Sequence, residues 1–417
     1  MRKRQTPGRR VARAAAVLVS VAALATVAAT GSAFAATSPI VVTTIANVGD
    51  EPSQVAITPD GASVYVTALG TTSVEVINTT SNAVSTTIPL SAQPGSLAIT
   101  PDGTRAYVAL SGSNSVSIID TATNTVTGSP IAVGSNPIGV AITPDGTRAY
   151  VSNFAANSVS VIDTVTNTVT ATITVGSGPG GLAITPDGSR VYVSNQNSNS
   201  VSVIDANTNT VFATIPVGVY PTDVAVTPDG KSVFVTSNVD NAVSVIATAT
   251  DTVTATIPVG RQPSDVSITP DGKYAYVSNT SASTVSVIET ATNTVTAAVG
   301  VGSTPEGLAF TPNGAYAYVA NFVSNSVSVI ATDGGVGTGG GDMVVPAQHF
   351  AVPAGTKEEQ CAALAPDHVD WPGLVNLHGR GWHVSWAEWP NNHTGGWVCS
   401  RQPYVTGQTW GIRSKTL

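Results

Sequence analysis

The sequence predicts an all-β fold: a seven-bladed β-propeller closed by its own N-terminal strand, followed by a small, disulfide-linked, β-rich C-terminal module. Two observations predict the propeller. No segment of the repeats shows the 3.6-residue periodicity of a helix. A Thr-Pro-Asp-Gly turn, once Thr-Pro-Asn-Gly, recurs every 42 or 43 residues, the length of one four-stranded blade. The seven copies begin at Thr58, Thr100, Thr143, Thr185, Thr227, Thr269 and Thr311.

Residues 1–35 have the layout of an export signal. Basic residues between Arg2 and Arg13 precede an Ala/Val/Leu run over 14–29, and Ala33-Phe34-Ala35 provides a small-residue cleavage motif, so we expect cleavage after Ala35. The sequence leaves open whether the general or the twin-arginine route is used. No later segment has the length of a membrane-spanning helix, so we predict a secreted or cell-wall-associated protein without a transmembrane segment.

The segment Ile40 to Val48 is predicted to be the strand that closes the ring. It resembles the fourth strand of a repeat, such as Thr252–Val259, yet it precedes the first repeat. The seventh repeat has three strands and stops at Asp333. We therefore predict a last blade of three strands plus one, which removes an edge that would invite aggregation.

Within one repeat, four β-segments and their turns can be assigned, as the third copy shows. Its turn Pro144-Asp145-Gly146 suits a hairpin, because proline fixes one φ and glycine accepts a positive one. Small polar and β-branched residues alternate in Ser158–Ile162, as in a half-buried strand. The other predicted strands are 138–142, 149–152 and 168–175.

The second strands carry a signature that resembles the YVTN β-propeller repeat. Tyr-Val-Ser-Asn occurs at 150–153, 192–195 and 276–279, Val-Tyr-Val-Thr at 64–67 and Tyr-Val-Ala-Asn at 318–321. The resemblance covers residues 40–331 and implies a seven-bladed propeller. It implies little about activity, because propellers include hydrolases, lyases, redox subunits, surface-layer proteins and adaptors.

Charge argues against nucleic acid as a partner. Without residues 1–35 the chain holds 11 basic and 25 acidic residues, a formal charge of −14. A phosphate backbone is bound by neutralising it with Lys and Arg, and residues 36–333 hold six of these against 19 acidic residues. We predict no nucleic-acid binding.

Histidine and cysteine are absent from residues 36–348. Copper sites need imidazole ligands, and streptogramin-type propeller lyases use a histidine as acid or base, so neither chemistry can be assigned to the repeats. The catalytic arginine and histidine positions of propeller lactonases have no clear counterpart in these short repeats either. We therefore predict no catalytic residues, no metal and no cofactor in the propeller.

Residues that recur among the repeats are predicted to be structural, since a single active site needs a residue once. The aspartates of this kind lie in the first hairpin or end the third strand, and the arginines follow the first hairpin and are interpreted as surface residues of that hairpin. They are Asp60, Asp102, Asp145, Asp187, Asp229 and Asp271, then Asp120, Asp163 and Asp205, then Arg105, Arg148 and Arg190.

Acidic residues that break the repeat are the candidates for ligand binding. Asp223 and Asp265 stand four residues before the Thr-Pro turn, where the other copies are neutral, and Glu306 and Glu51 lie near that position in the next two blades. An acidic arc at one mouth of the central channel would bind a cation or a basic ligand. The competing interpretation is a solvated rim that aids solubility.

The C-terminal part differs sharply in composition. A Gly-rich linker at 334–342 is followed by a module, 343–417, that holds all six tryptophans, all five histidines and both cysteines. We predict a structural Cys361–Cys399 disulfide and two strands, 381–389 and 396–401. Tryptophan is either core filling in this module or a platform for stacking sugars. The candidates for stacking are Trp382, Trp386, Trp389 and Trp397.

The leading prediction is thus a monomeric, non-enzymatic binding scaffold at the cell surface, 36–333 forming the propeller. Its partner would be an unknown protein or a cell-wall glycan. Two alternatives stay open: a cation-dependent hydrolase or lyase that uses the acidic arc, and a redox propeller whose partner supplies the cofactor.

Overall fold

Each repeat forms one antiparallel sheet of four strands, and the described part of the chain contains seven such sheets. This computed structural model describes residues 38–332 and, further along, the backbone of 382–388 and 395–401. The only helical element among these residues is a 3₁₀ turn, Gln196–Ser198. The predicted all-β, seven-bladed fold is confirmed.

The strands follow the repeats closely. The first strand and the first three blades comprise β1 (Ile40–Ala46); β2 (Pro52–Ile57), β3 (Ser63–Ala68), β4 (Ser73–Asn78) and β5 (Ala83–Pro89); β6 (Pro94–Ile99), β7 (Arg105–Leu110), β8 (Ser115–Asp120) and β9 (Thr125–Ala132); and β10 (Pro137–Ile142), β11 (Arg148–Asn153), β12 (Ser158–Asp163) and β13 (Thr168–Thr174). The remaining blades comprise β14 (Pro179–Ile184), β15 (Arg190–Asn195), β16 (Ser200–Asp205) and β17 (Thr210–Pro216); β18 (Pro221–Val226), β19 (Ser232–Ser237), β20 (Ala242–Ala247) and β21 (Thr252–Pro258); β22 (Pro263–Ile268), β23 (Tyr274–Asn279), β24 (Thr284–Glu289) and β25 (Thr294–Gly300); and β26 (Pro305–Phe310), β27 (Tyr316–Asn321) and β28 (Ser326–Ala331).

The N-terminal strand completes the last blade. β1 pairs antiparallel with β28, so that Ile40 lies opposite Ala331 and Ala46 opposite Ser326. The first strand of each blade contacts the first strand of the next, and β26 contacts β2. The ring is therefore closed three-plus-one, as predicted, and an open stack is excluded.

The hydrophobic core consists of layers between neighbouring blades. Valine and isoleucine on the strand faces of one blade pack against those of the next, and the described residues contain seven such clusters. The cluster between the last and first blades includes Val329, Ile45 and Val64, all nearly or fully buried. Burial of apolar area thus holds the closure together as it holds the other six interfaces.

In most blades the tyrosine of the signature links the blade to the next one. The Tyr107 hydroxyl donates a hydrogen bond of 2.7 Å to Oδ1 of Asn167 in the following blade, and Tyr150 bonds Asn209 in the same way at 3.2 Å. Asn167 has a φ of 54°, in the left-handed region that asparagine tolerates better than most residues. The signature is therefore a structural requirement of blade packing.

The Thr-Pro-Asp-Gly turn is a self-contained hydrogen-bonded unit. In the fifth blade, Asp229 Oδ1 accepts hydrogen bonds from Thr227 Oγ1 at 2.7 Å and from the Lys231 N–H at 3.1 Å. The Thr227 bond is the main reason that the pKa of Asp229 falls to about 2. Gly230, with a φ of 71°, lies against Pro186 of the preceding turn. The structural interpretation of the recurrent aspartates agrees with these contacts.

The arginines that follow this turn are not merely surface residues of one hairpin, so that expectation was wrong. Arg105 Nη1 donates to the Thr164 carbonyl of the next blade at 3.0 Å, and Arg148 reaches the Ala206 carbonyl in the same manner. Arg190 bonds the Thr248 carbonyl at 2.8 Å. A long side chain can span two blades, and the repeat pattern alone does not show that reach.

By contacts the chain divides into two units, 1–340 and 341–417. In the second unit, β29 (Trp382–Glu388) and β30 (Gly395–Arg401) form an antiparallel pair, close to the two strands predicted there. The predicted export signal lies outside the described residues. Among the described residues, no helix is long and apolar enough to span a membrane.

Candidate functional site

The four acidic residues that break the repeat lie on consecutive blades around the channel. Asp223 is on β18, Asp265 on β22 and Glu306 on β26, while Glu51 directly precedes β2. Each lies in the first half of an innermost strand or just before it, at the end opposite the Thr-Pro turns. Because the ring is closed, the row continues from blade 7 to blade 1.

Asp223 is half-buried and points across two blade interfaces. Its Oδ2 accepts a hydrogen bond from the Val266 N–H of the next blade at 3.2 Å. Its Oδ1 occupies the space above Gly181 of the preceding blade, where a Cβ would overlap it. The Asp223 N–H is held by Thr236 Oγ1 at 2.9 Å. These contacts fix the carboxyl group in place.

Asp265 repeats this geometry one blade further and is only 8% exposed. Its Oδ2 accepts a hydrogen bond from the Leu308 N–H at 3.1 Å. The two carboxyl groups act on each other, and this interaction lowers the pKa of Asp223 and raises that of Asp265.

Burial is the main cause of the raised pKa values of this pair. It raises the pKa of Asp223 to about 6. Burial, and next the negative charge of Asp223, raise the pKa of Asp265 well above its usual range. Two neighbouring buried carboxyl groups cannot both ionise at low cost, which favours the protonated form of the pair.

Glu306 and Glu51 continue the row toward blade 1. Glu306 Oε2 accepts a hydrogen bond from Ser53 Oγ across the ring closure at 2.6 Å. Burial raises the pKa of Glu306, and the nearby charge of Glu51 raises it further. Glu51 itself is exposed, and its N–H donates to Asn325 Oδ1 at 3.0 Å.

The solvated-rim interpretation fits the exposed Glu51 best, whereas Asp223 and Glu306 are half-buried and Asp265 is buried. Their pKa values are governed by burial, hydrogen bonds and other carboxylates, and no Lys or Arg acts on them. Residues 38–332 contain no group of three or more His, Cys, Asp or Glu side chains placed to hold a metal ion. The row is thus an uncompensated set of carboxyl groups without a preformed metal site.

Sequence reasoning missed the residues that support these carboxyl groups. Ser53 occupies in blade 1 the repeat position of Glu306 in blade 7, and Gly181 occupies in blade 4 the position of Asp223 in blade 5. Aligning the copies and comparing each acidic residue with its neighbours would have revealed both. Thr236 was hidden because the repeats usually have Ser or Thr there.

The candidates in the C-terminal unit are placed only in part. Trp382 and Trp386 lie on β29 and Trp397 on β30, with Trp386 opposite Trp397 in the register. Cys399 is paired with Val384. Trp389 and Cys361 lie outside the described residues, so sugar stacking and the disulfide stay predictions.

Comparison with known proteins identifies related propellers. The family described as "Lactonase, 7-bladed beta-propeller" matches residues 49–214, and the family described as "YNCE-like beta-propeller" matches residues 222–336. No curated protein matches the chain. Among solved structures, a chain of Kuenenia stuttgartiensis hydrazine synthase is 26% identical, with a TM-score of 0.62 over 68% of this chain and 96% of that one.

Proposed function

We propose that the chain, a seven-bladed β-propeller of the YVTN-repeat type, is a secreted or cell-surface binding scaffold and not an enzyme. Its acidic row, formed by Asp223, Asp265, Glu306 and Glu51, binds a cationic group of a partner, such as a lysine or arginine side chain. The C-terminal module binds a second partner, for which a cell-wall glycan suits its tryptophan content.

One observation carries the proposal: three carboxyl groups in a row are buried or half-buried without a basic partner. A buried carboxylate that no cation compensates is costly, so Asp223 and Asp265 retain a proton instead. A ligand ammonium or guanidinium group would replace that proton and restore charge balance. Binding should therefore release a proton and strengthen as the pH rises through the pKa of Asp223, about 6.

The related enzymes do not carry their activities to this chain. The lactonase match covers residues 49–214 and the hydrazine synthase chain is 26% identical. Residues 36–348 lack histidine and cysteine, so the propeller has no imidazole or thiol for acid–base, nucleophilic or metal-ligand roles. A binding function requires none of these groups.

A second candidate, a cation-dependent hydrolase or lyase, is favoured by the carboxyl pair itself. A protonated Asp265 beside an Asp223 with a pKa of about 6 could act as general acid and general base. Substituting both by asparagine separates the functions. Loss of basic-peptide binding supports the scaffold, whereas unchanged cation binding and unchanged thermal stability would dismiss the hydrolase or lyase.

The direct test is calorimetric titration of the full exported chain with a tri-lysine peptide. We expect Asp223→Asn with Asp265→Asn to weaken binding by roughly tenfold or more, since a buried charge partner is lost. The matched control is Asp163→Asn with Asp205→Asn, which removes the same charge from two half-buried positions at the ends of third strands. Equal weakening in both variants would show general attraction to an acidic protein and overturn the proposal.

Export and glycan binding need separate measurements. N-terminal sequencing of the exported protein should begin at Ala36, and the full chain should be retained on a glycan array. Retention should fall when Trp389 and Trp397 are replaced by alanine. A chain that is retained by no glycan and no cell-wall fraction would remove the second half of the proposal.

A further inference from the structure

Blade 5 contains a cavity of about 300 Å³ beside the connection from blade 4. It is lined by Ser237 at the end of β19, by Ala242 and Ser244 on β20, and by Asp240 in the loop between these strands. Gly218 of the incoming connection forms the facing wall. The volume is at the lower end of the range for small-ligand pockets.

Other blades fill the corresponding place with an asparagine side chain. Asn153 of blade 3 is fully buried, and its Nδ2 donates hydrogen bonds to Ser160 Oγ at 2.9 Å and Ser158 Oγ at 3.2 Å. The same arrangement recurs at Asn195, Asn279 and Asn321. In these four blades an N–H donor thus occupies the position next to the third-strand hydroxyls.

The two remaining blades fill this position by other means. Blade 2 has Leu110, a fully buried side chain of larger volume. Blade 1 has Ala68, and the space is taken by Glu75, whose buried carboxylate is held by Ser73 at 2.8 Å and Thr87 at 2.6 Å. Among the seven described blades, only blade 5 has a small residue at the asparagine position together with small side chains on the facing part of its third strand.

Three departures from the repeat meet in the blade 5 cavity. Ser237 replaces the asparagine, Ala242 replaces the serine or threonine found in the other blades, and Asp240 stands where they have Ser, Thr or Ala. Together these three substitutions open one space and add one negative charge to it. They exchange a built-in N–H donor for an acidic cavity.

Two hydroxyl groups in this cavity make no hydrogen bond within the described part of the chain, and a carboxylate lies beside them. Ser237 is fully buried and its Oγ makes no hydrogen bond, and Ser244 Oγ, the counterpart of Ser160, makes none to any described residue. Asp240 Oδ2 accepts the Val219 N–H at 2.7 Å, and its second oxygen remains available. Unsatisfied buried hydroxyls are costly, so the site favours a ligand that supplies N–H donors.

We propose that this blade 5 cavity binds a primary ammonium group, carried by a small amine or by a lysine side chain. The ammonium group takes the place that the asparagine amide has in four other blades. Its three N–H groups donate hydrogen bonds to Ser244 Oγ, Ser237 Oγ and Asp240. The Asp240 carboxylate also balances its charge. This site is separate from the acidic row and does not depend on it.

The test is a titration of the full chain with n-butylammonium, with neutral n-butanol as the matched probe. We expect saturable millimolar binding of the amine and none of the alcohol. Ser237→Asn with Ala242→Ser, which restores the filled arrangement, should weaken amine binding by roughly tenfold or more while the melting temperature stays equal or rises. Asp240→Ser should also weaken it, and both comparisons are repeated in the Asp223→Asn with Asp265→Asn background, where amine bound by the acidic row no longer contributes.

A lysine derivative distinguishes the two sources of the ammonium group. If Nα-acetyl-lysine methylamide binds more tightly than n-butylammonium, the cavity is built for a side chain of a partner protein. If it binds more weakly, a free amine is the ligand. Absence of n-butylammonium binding, equal binding of n-butanol, or undiminished binding by the filled variant would each overturn the proposal.

Discussion

The hydroxyl of Tyr318, in the last blade, donates a hydrogen bond of 2.7 Å to Oδ1 of Asn82, in the first. The two residues are 236 positions apart, so this bond exists only because the ring is closed. It repeats at the closure the contact that Tyr107 and Asn167 make between two sequential blades. The closure is therefore built with the same chemistry as the other interfaces.

Tyr318→Phe should destabilise the protein by about 1 kcal/mol, because the substitution leaves the partly buried Asn82 oxygen without its donor. Chemical denaturation of the two proteins would measure the difference. Tyr316→Phe is the matched control, since Tyr316 is exposed and its hydroxyl makes no hydrogen bond to a described residue. Equal effects of both substitutions would contradict the assigned role of Tyr318.

Phe234→Tyr should have the opposite effect. Blade 5 has Phe234 where most blades have tyrosine, and the Asn293 Oδ1 that would accept its hydrogen bond is buried without a partner. Adding the hydroxyl should stabilise the protein by about 1 kcal/mol. A melting temperature that falls would mean that the interface between blades 5 and 6 has no room for the added oxygen.

Asp265→Asn should stabilise the protein at neutral pH. Burial raises the pKa of Asp265, so the folded state binds its proton more tightly than the unfolded state does. Stability from this pair is therefore present at acidic pH and is lost as the pH rises through the raised pKa values of the two groups, about 6 for Asp223. Asparagine keeps the hydrogen bonds without the charge, so we expect a gain of about 1 to 3 kcal/mol at pH values above the range of Asp223.

Denaturation across this pH range would check the sign. The stability of the natural protein should fall more steeply from acidic to neutral pH than that of the Asp265→Asn variant. The Asp163→Asn control should keep the steep decline, because hydrogen bonds from Thr166 lower the pKa of Asp163 instead. Parallel pH profiles for the natural protein and Asp265→Asn would be inconsistent with a raised pKa of Asp265.

Gly181→Ala should disturb the acidic row without touching a charge. The added methyl group would overlap Asp223 Oδ1, so the carboxyl group must move or the blades must separate, at a cost of about 1 to 3 kcal/mol. Gly300→Ala is the control, because nothing lies within 4 Å of its added Cβ. Binding of tri-lysine should weaken for Gly181→Ala alone, and an unchanged affinity would place the ligand elsewhere.

The repeats and their closure could be predicted because they depend on local chemistry. The Thr-Pro-Asp-Gly turn and the alternation in Ser158–Asp163 each act within one blade, and the missing fourth strand of the last blade left Ile40–Val48 as its replacement. The burial of Asp265 could not be predicted in this way. It depends on Leu308 and Asp223 of the neighbouring blades, and sequence spacing does not give distances across an interface.

The same limit applies to the arginines and to blade 5. Arg190 follows a turn that looks exposed, yet its side chain spans to Asp251 of the next blade at 3.3 Å. Ser237 and Ala242 are ordinary strand residues, and only their placement around one cavity gives them significance. Departures from a repeat show where to look, and the packed structure shows what the departures do.

Closure of the ring by β1 brings Glu306 beside Ser53 and carries the acidic row into blade 1. Hydrogen exchange measured by mass spectrometry on the exported chain tests it most directly. The amides of Ile40–Ala46 should be as strongly protected as those of Thr252–Pro258, the outer strand of blade 5. Exchange of Ile40–Ala46 at the rate of an unstructured peptide, with Thr252–Pro258 still protected, would contradict the closure.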